Sequence, residues 1–217
     1  MGYSIGMDTF HVEHFFPTME KIGDEVYVYR GFLSKEKVKQ YLDIILDQKE
    51  WIDGAQFNKP TIETFSNPIF GDLLKKIQDE LALEKMFLEF TPSITKIKTG
   101  NGMEEHSDDC PYCWKVRDPE INISDNEGKR CVLYGIVLYF SDFEGGDIYY
   151  PEQGISFKPE PGDLIMHSTK KYCKHGVSPV TSGTRYSLSP YIVQYHSESD
   201  EKVAYDFWNN YTLKNIF

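Results

Sequence analysis

The sequence predicts a mainly β fold with flanking α-helices, a jelly roll buttressed by N-terminal helices. Three observations predict it. Helical periodicity is confined to the chain before residue 86. From there on, short β-forming runs alternate with Gly, Pro, Asn and Asp clusters, the pattern of a sandwich or barrel. The aromatic content, 15 Tyr and 14 Phe, favours strands, and a jelly roll would close two sheets around a cavity.

Taken in order, residues 25–33 (Glu-Val-Tyr-Val-Tyr-Arg-Gly-Phe-Leu) alternate like a strand that runs into a turn. Ser34 is suited to cap a helix on which Val38, Tyr41, Leu42, Ile45 and Leu46 share one face. A second helix is expected to open at Asn67-Pro68, with proline in its first turn, and to turn Leu73, Leu74, Ile77 and Leu81 inward. Strands are then expected over residues 86–90, 93–98, 131–140, 155–157, 163–167 and 185–195. Residues 1–217 are expected to form a single domain, with a helical support region (1–85), a jelly-roll core (86–196) and a C-terminal tail (197–217). In that tail Phe207 and Trp208 would dock on the sheet or on another subunit.

Composition narrows the function classes. A chain of 217 residues can bury one substantial core. The net charge of −11 repels phosphate backbones and argues against a nucleic-acid partner. No run reaches the roughly 20 apolar residues of a membrane span, and the N-terminus shows no basic region followed by an apolar one. The expectation is a cytoplasmic protein with no membrane partner. The four cysteines then read as thiols. The pair Cys110 and Cys113 reads as packing or loop structure, with zinc binding and redox chemistry as alternatives.

The chemistry is carried by His106-Ser107-Asp108, His175 and Arg185. Alternate residues of a strand project from one face, so His106 and Asp108 can reach one ion while Ser107 faces away. His175 would arrive from a distant strand. Two imidazoles and a carboxylate suit Fe(II) and leave coordination positions open. A histidine two residues from an aspartate is by itself a weak signal, and His11, His14, His167 and His196 show how many histidines need no ligand role. The conjunction with Arg185 strengthens it, because a guanidinium inside a cavity needs a carboxylate partner, which 2-oxoglutarate would supply.

These segments resemble prolyl 4-hydroxylase-type members of the 2-oxoglutarate and Fe(II)-dependent dioxygenases, over residues 25–194. The resemblance is carried by Val28-Tyr29-Arg30-Gly31-Phe32-Leu33-Ser34, by Gly100-Asn101-Gly102 before His106-Ser107-Asp108, and by Leu138 to Asp147. Pro161-Gly162-Asp163-Leu164 and the block His175 to Tyr186 complete it. It implies a double-stranded β-helix, the jelly-roll form already expected. It implies His106, Asp108 and His175 as iron ligands, and Arg185 as the partner of the distal carboxylate of 2-oxoglutarate. Tyr139 corresponds to a tyrosine that can bond that carboxylate, and Ser189 is a further candidate, four residues beyond Arg185 and expected on the same strand face. Both hydroxyls also have an ordinary reading as core-facing groups.

Two departures from the family pattern stand out. Ile97 and Lys98 lie where related enzymes often have a tyrosine for the co-substrate, and Asp147-Ile148 replaces a frequent acidic-Thr pair. The implied activity is hydroxylation of a C–H bond with O2, releasing succinate and CO2, with ascorbate as a supporting reductant. The implied substrate is a prolyl residue in a peptide or protein. Oxidation of a free amino acid or other small metabolite is the alternative, and a catalytically silent jelly-roll binding module is a third reading that the intact motif residues oppose. The polar stretch from Asp109 to Lys129 reads either as a lid, with Tyr112 and Trp114 against the substrate, or as an irregular insertion.

Overall fold

Two antiparallel sheets make up the body of the molecule in the computed structural model, which describes residues 19–53, 62–66, 71–81, 86–88, 93–108, 130–195 and 202. The chain begins with β1 (Glu20–Gly23) and β2 (Val26–Tyr29), followed by α1 (Lys35–Asp47), β3 (Ile52–Asp53), β4 (Ile62–Ser66) and α2 (Gly71–Leu81). There follow β5 (Met86–Leu88), β6 (Ser93–Lys98), β7 (Met103–His106), β8 (Arg130–Tyr139), β9 (Phe143–Gly145), β10 (Ile148–Tyr150) and β11 (Ile155–Phe157). The last four are β12 (Leu164–Ser168), β13 (His175–Val177), β14 (Val180–Leu188) and β15 (Tyr191–Tyr195). The larger sheet has the order β1-β2-β12-β8-β14-β6-β4-β3, with β15 joining β5 to β8 and β9 on β14. The smaller runs β11-β10-β13-β7. This is the expected jelly-roll architecture. One correction concerns the region before residue 86, which supplies β1 to β4 as well as both helices, because its short apolar runs extend the larger sheet at both edges.

The larger sheet is covered on both sides, and its strands alternate accordingly. On its outer side Tyr134, Ile136, Leu138, Leu164, Met166 and Leu188 pack with Val38, Tyr41 and Ile45 of α1 and with Leu73, Leu74, Ile77 and Leu81 of α2. The intervening residues Val137, Tyr139 and Ile165 face the smaller sheet and meet Ile148, Tyr150, Phe157 and Val177. Burial of each large aliphatic side chain contributes about 1.5–3 kcal/mol. Ser34 caps α1 as expected, its side chain accepting from the Lys37 amide. Leu46 departs from the expected apolar face and is exposed, because the face of α1 on the sheet is carried by Val38, Tyr41 and Ile45. The expected start of the second helix at Asn67-Pro68 lies outside the described residues, as do Cys110, Cys113, the Asp109 to Lys129 stretch and the tail beyond 202.

Two of the departures from the expected strand boundaries have a local reason. Residues 185–195 form two strands instead of one. Ser189-Pro190 interrupts them, since proline has no amide to donate to the ladder. Asp163 does not begin β12; its buried carboxylate accepts from the Gly31 and Glu160 amides and pairs with Arg30 at 2.7 Å. It thereby fastens the Pro161-Gly162-Asp163 turn to the end of β2. Gly162 has φ +95°, and a Cβ there would stand 2.6 Å from the Leu33 carbonyl oxygen, so a side chain is excluded on two counts.

Candidate metal centre and its pocket

Register across the smaller sheet builds the site. β7 and β13 pair so that His106, the last residue of one, lies directly opposite His175, the first of the other. Asp108 sits two residues beyond the end of β7, so the expected placement of both residues on one strand face is corrected: the chain leaves the strand at His106 and then brings the carboxylate back. The ligand atoms of His106, Asp108 and His175 all lie within 4.8 Å of one another. Asp108 Oδ1 is 3.7 Å from His106 Nε2, and Oδ2 is 3.8 Å from His175 Nε2.

Each ring is oriented by its other nitrogen. His106 Nδ1 donates to the Glu104 carbonyl at 2.9 Å and His175 Nδ1 to the Cys173 carbonyl at 3.1 Å. With protons assigned to Nδ1, both Nε2 lone pairs face the carboxylate. Burial, reinforced by the neighbouring His167, pushes His175 down to about 3. Burial alone would raise the Asp108 carboxyl. The hydrogen bond from His167 and the charges of His167, His175 and His106 override it and hold the group well below the usual carboxylate range. At neutral pH His175 is therefore a neutral imidazole beside an ionised Asp108 carboxylate, the protonation states that metal ligation requires of them.

The larger sheet supplies the rest of the pocket. Arg185, on the inward side of β14 and 3% exposed, donates from Nη1 to Ser187 Oγ at 3.0 Å and from Nη2 to the Tyr139 hydroxyl at 3.2 Å. Its Nε is buried without a hydrogen-bond partner, and Arg185 enters no ion pair among the described residues. Burial raises the Tyr139 phenol against the opposing charge of Arg185, so the hydroxyl is neutral. Arg185, Ser187, His106, Asp108 and His175 line one cavity of about 70 Å³. Ser189 lines it too, but it is exposed and lies past the end of β14, which corrects its expected placement on the strand face. The serine that bonds Arg185 is instead Ser187, and Ile97 faces Arg185 across the β6–β14 ladder. A larger, open groove of about 620 Å³ between α1 and the Lys158–Pro161 turn contains none of the clustered ligands.

Sequence reasoning passed over two further partners of Asp108 and a third residue behind one of them. His167 donates from Nε2 to Oδ2 at 3.0 Å, Tyr191 donates to Oδ1 at 3.2 Å, and Tyr150 bonds His167 Nδ1 at 2.8 Å. The available signal was a histidine set into the apolar run Leu164-Ile165-Met166-His167.

The donor set fits Fe(II), and the buried guanidinium, with no ion-pair partner among the described residues, fits an organic acid held beside it. Residues 92–193 match the model of the 2OG-Fe(II) oxygenase superfamily. No curated protein matches the chain. Among solved structures, it is similar to the viral collagen prolyl hydroxylase of Paramecium bursaria Chlorella virus-1 in its 2-oxoglutarate complex. The two share 17% identity at a TM-score of 0.55, covering 79% of this chain and 97% of that one. A Pseudomonas putida prolyl-4-hydroxylase is 15% identical, with a TM-score of 0.54 and coverage of 84% and 97%. HygX from Streptomyces hygroscopicus, with nickel and 2-oxoglutarate bound, is 14% identical, with a TM-score of 0.57 and coverage of 87% of each chain. At these identities the likeness is one of fold. The match of residues 92–193, the shared fold and the clustered donors together liken this chain to the 2-oxoglutarate–Fe(II) oxygenases, and its site has the residues to take Fe(II) and 2-oxoglutarate as cofactors.

Proposed function

We propose that the protein hydroxylates a C–H bond of a prolyl residue in a peptide or protein, using His106, Asp108 and His175 to hold Fe(II) and Arg185 to hold 2-oxoglutarate. The observation that carries this reading is a single cavity shared by the three clustered ligand atoms and a buried arginine that has no ion-pair partner among the described residues. Bound together, Fe(II), 2-oxoglutarate and O2 supply oxidative decarboxylation to succinate and CO2, with the second oxygen atom going to the substrate as hydroxyl.

The protein's own contribution is orientation and charge. Arg185 presents a planar fork to the distal carboxylate. Tyr139 accepts from Arg185 and so keeps its O–H to donate to the same carboxylate. Ser187 fixes the guanidinium from the other side, while Ser189 offers a hydroxyl at the cavity wall. Met103, Ile148 and Val177 give that wall an apolar part, which limits water near the reacting carbon.

Support for a prolyl target comes from the sequence motifs and from two fold neighbours that are prolyl hydroxylases. The net charge of −11 suits a neutral or basic peptide. A small-molecule substrate is the second reading, since HygX has also been solved with hygromycin B bound. The test is anaerobic loading with Fe(II) and 2-oxoglutarate, followed by oxygen and either a proline-containing peptide library or free metabolites. Peptide-dependent succinate, with one added oxygen atom on proline, is expected. Succinate coupled only to a free metabolite would overturn the prolyl reading, and absence of 2-oxoglutarate turnover with any substrate would overturn the oxygenase reading.

A further inference from the structure

We infer that His167, backed by Tyr150 and admitted by Gly135, is a positioning residue that holds the Asp108 carboxylate in place for the metal. The inference rests on the assignment of Asp108 as a metal ligand and concerns residues outside the three clustered ligands.

His167 lies on the inward side of β12 and is 1% exposed. A buried imidazole is costly unless both nitrogens are bonded, and here both are. Nε2 faces Asp108 Oδ2 at 3.0 Å, and Nδ1 faces the hydroxyl of Tyr150, itself fully buried, at 2.8 Å. A carboxylate can only accept, so Nε2 carries the proton, and Nδ1 receives the Tyr150 O–H. The phenol therefore fixes the tautomer that points an N–H at Asp108. The His167 ring also packs against His175 at a centroid distance of 4.2 Å, so one side chain braces two of the three clustered residues.

An independent observation comes from the strand alongside. Gly135 pairs with His167 in the β8–β12 ladder. A Cβ on Gly135 would lie 2.5 Å from His167 Nε2 and 2.6 Å from Asp108 Oδ2, closer than real contacts allow. Any side chain there would therefore have to displace the His167–Asp108 pair. An apolar core would need neither the polar relay nor the gap beside it. Asp108 gains most from such support, because it lies beyond the end of β7 and no strand ladder fixes it.

The test is anaerobic titration of the metal-free protein with Co(II), recording affinity and ligand-field spectrum for the native chain and for His167→Leu, His167→Gln, Tyr150→Phe and Gly135→Ala. His167→Leu and Gly135→Ala are each expected to weaken Co(II) binding by about 10- to 100-fold, the usual cost of losing a group that orients a ligand. His167→Gln keeps an N–H toward Asp108 and is expected to restore most of that affinity with the native spectrum. Native affinity in folded His167→Leu would overturn the inference. So would His167→Gln losing as much as His167→Leu with an altered spectrum, which would make His167 a ligand. Should His167→Leu fail to fold, Tyr150→Phe decides: a several-fold loss is expected and native affinity overturns the role. A native chain that binds no Co(II) would remove the metal assignment itself, a result distinct from losses confined to the variants.

Discussion

The two sides of the larger sheet are built by the same strands and do opposite work. On β8, Tyr134, Ile136 and Leu138 turn outward under the helices, while Gly135, Val137 and Tyr139 turn inward. On β12, Leu164 and Met166 face the helices, whereas Ile165 and His167 face the smaller sheet. The outer side places Ile136, Leu138, Leu164 and Met166 in one apolar cluster with the helices. The inner one carries an arginine, a histidine, two hydroxyls and a glycine gap in nearly the same length of chain. Because strand side chains alternate strictly, adjacent residues belong to different physical problems, fold stability on one side and ligand geometry on the other.

That separation can be broken experimentally, and the largest effect belongs to the smaller sheet opposite. His106→Ala is expected to cut Fe(II)-dependent turnover by more than about 100-fold, exceeding the usual cost of losing a supporting residue. Its urea midpoint should change little, since His106 is only partly buried. Retained turnover would detach the metal from this cluster. Ile136→Ala, on the outer side, is expected to cost about 2–5 kcal/mol in urea unfolding while leaving Co(II) affinity of the folded protein unchanged. A matching drop in metal affinity would show that the two sides are coupled.

Arg185→Ala is expected to weaken 2-oxoglutarate binding by about 10- to 100-fold, in line with roughly 1.5–3 kcal/mol for a charge-assisted hydrogen bond. Metal affinity measured without the co-substrate should hold. The smallest effect is one of pH on the metal-free protein. An unfolded histidine takes up a proton near pH 6.5, but folded His175 resists it until about 3. The unfolded chain therefore binds the extra proton in that interval, and stability should be level above pH 6.5 and decline as pH falls toward 3. Asp108, depressed in the folded state, adds a further decline as pH falls through the ordinary carboxylate range. A urea midpoint unchanged from pH 7 to 4 would contradict the burial of a neutral His175.

Local pattern reveals what local physics decides. The apolar faces of α1 and α2, the Ser34 cap and the short strands 93–98 and 155–157 follow from periodicity and propensity over a few residues. His106, Asp108, His175 and Arg185 stand out because each is an unusual residue in a recognisable local context. What stayed hidden depends on register between distant strands. That His106 faces His175, that Gly135 leaves room for His167, and that Ser187 rather than Ser189 touches Arg185 are cross-strand facts without a local signature. The apparent strand over 185–195 misled for a related reason: its β-forming residues are continuous, and only Pro190 marks the break.

The pairing of β7 with β13 also has a consequence for biosynthesis. The two histidines meet through a contact between segments far apart in the chain, with β8 to β12 made in between. Contacts of that kind form late, after the loop entropy between them has been overcome. A nascent chain that has emerged only as far as β12 owns two of the three clustered groups but not the strand that brings them to the third. On the proposed assignment, the complete set of iron ligands is thus a property of the finished domain and of no shorter nascent chain.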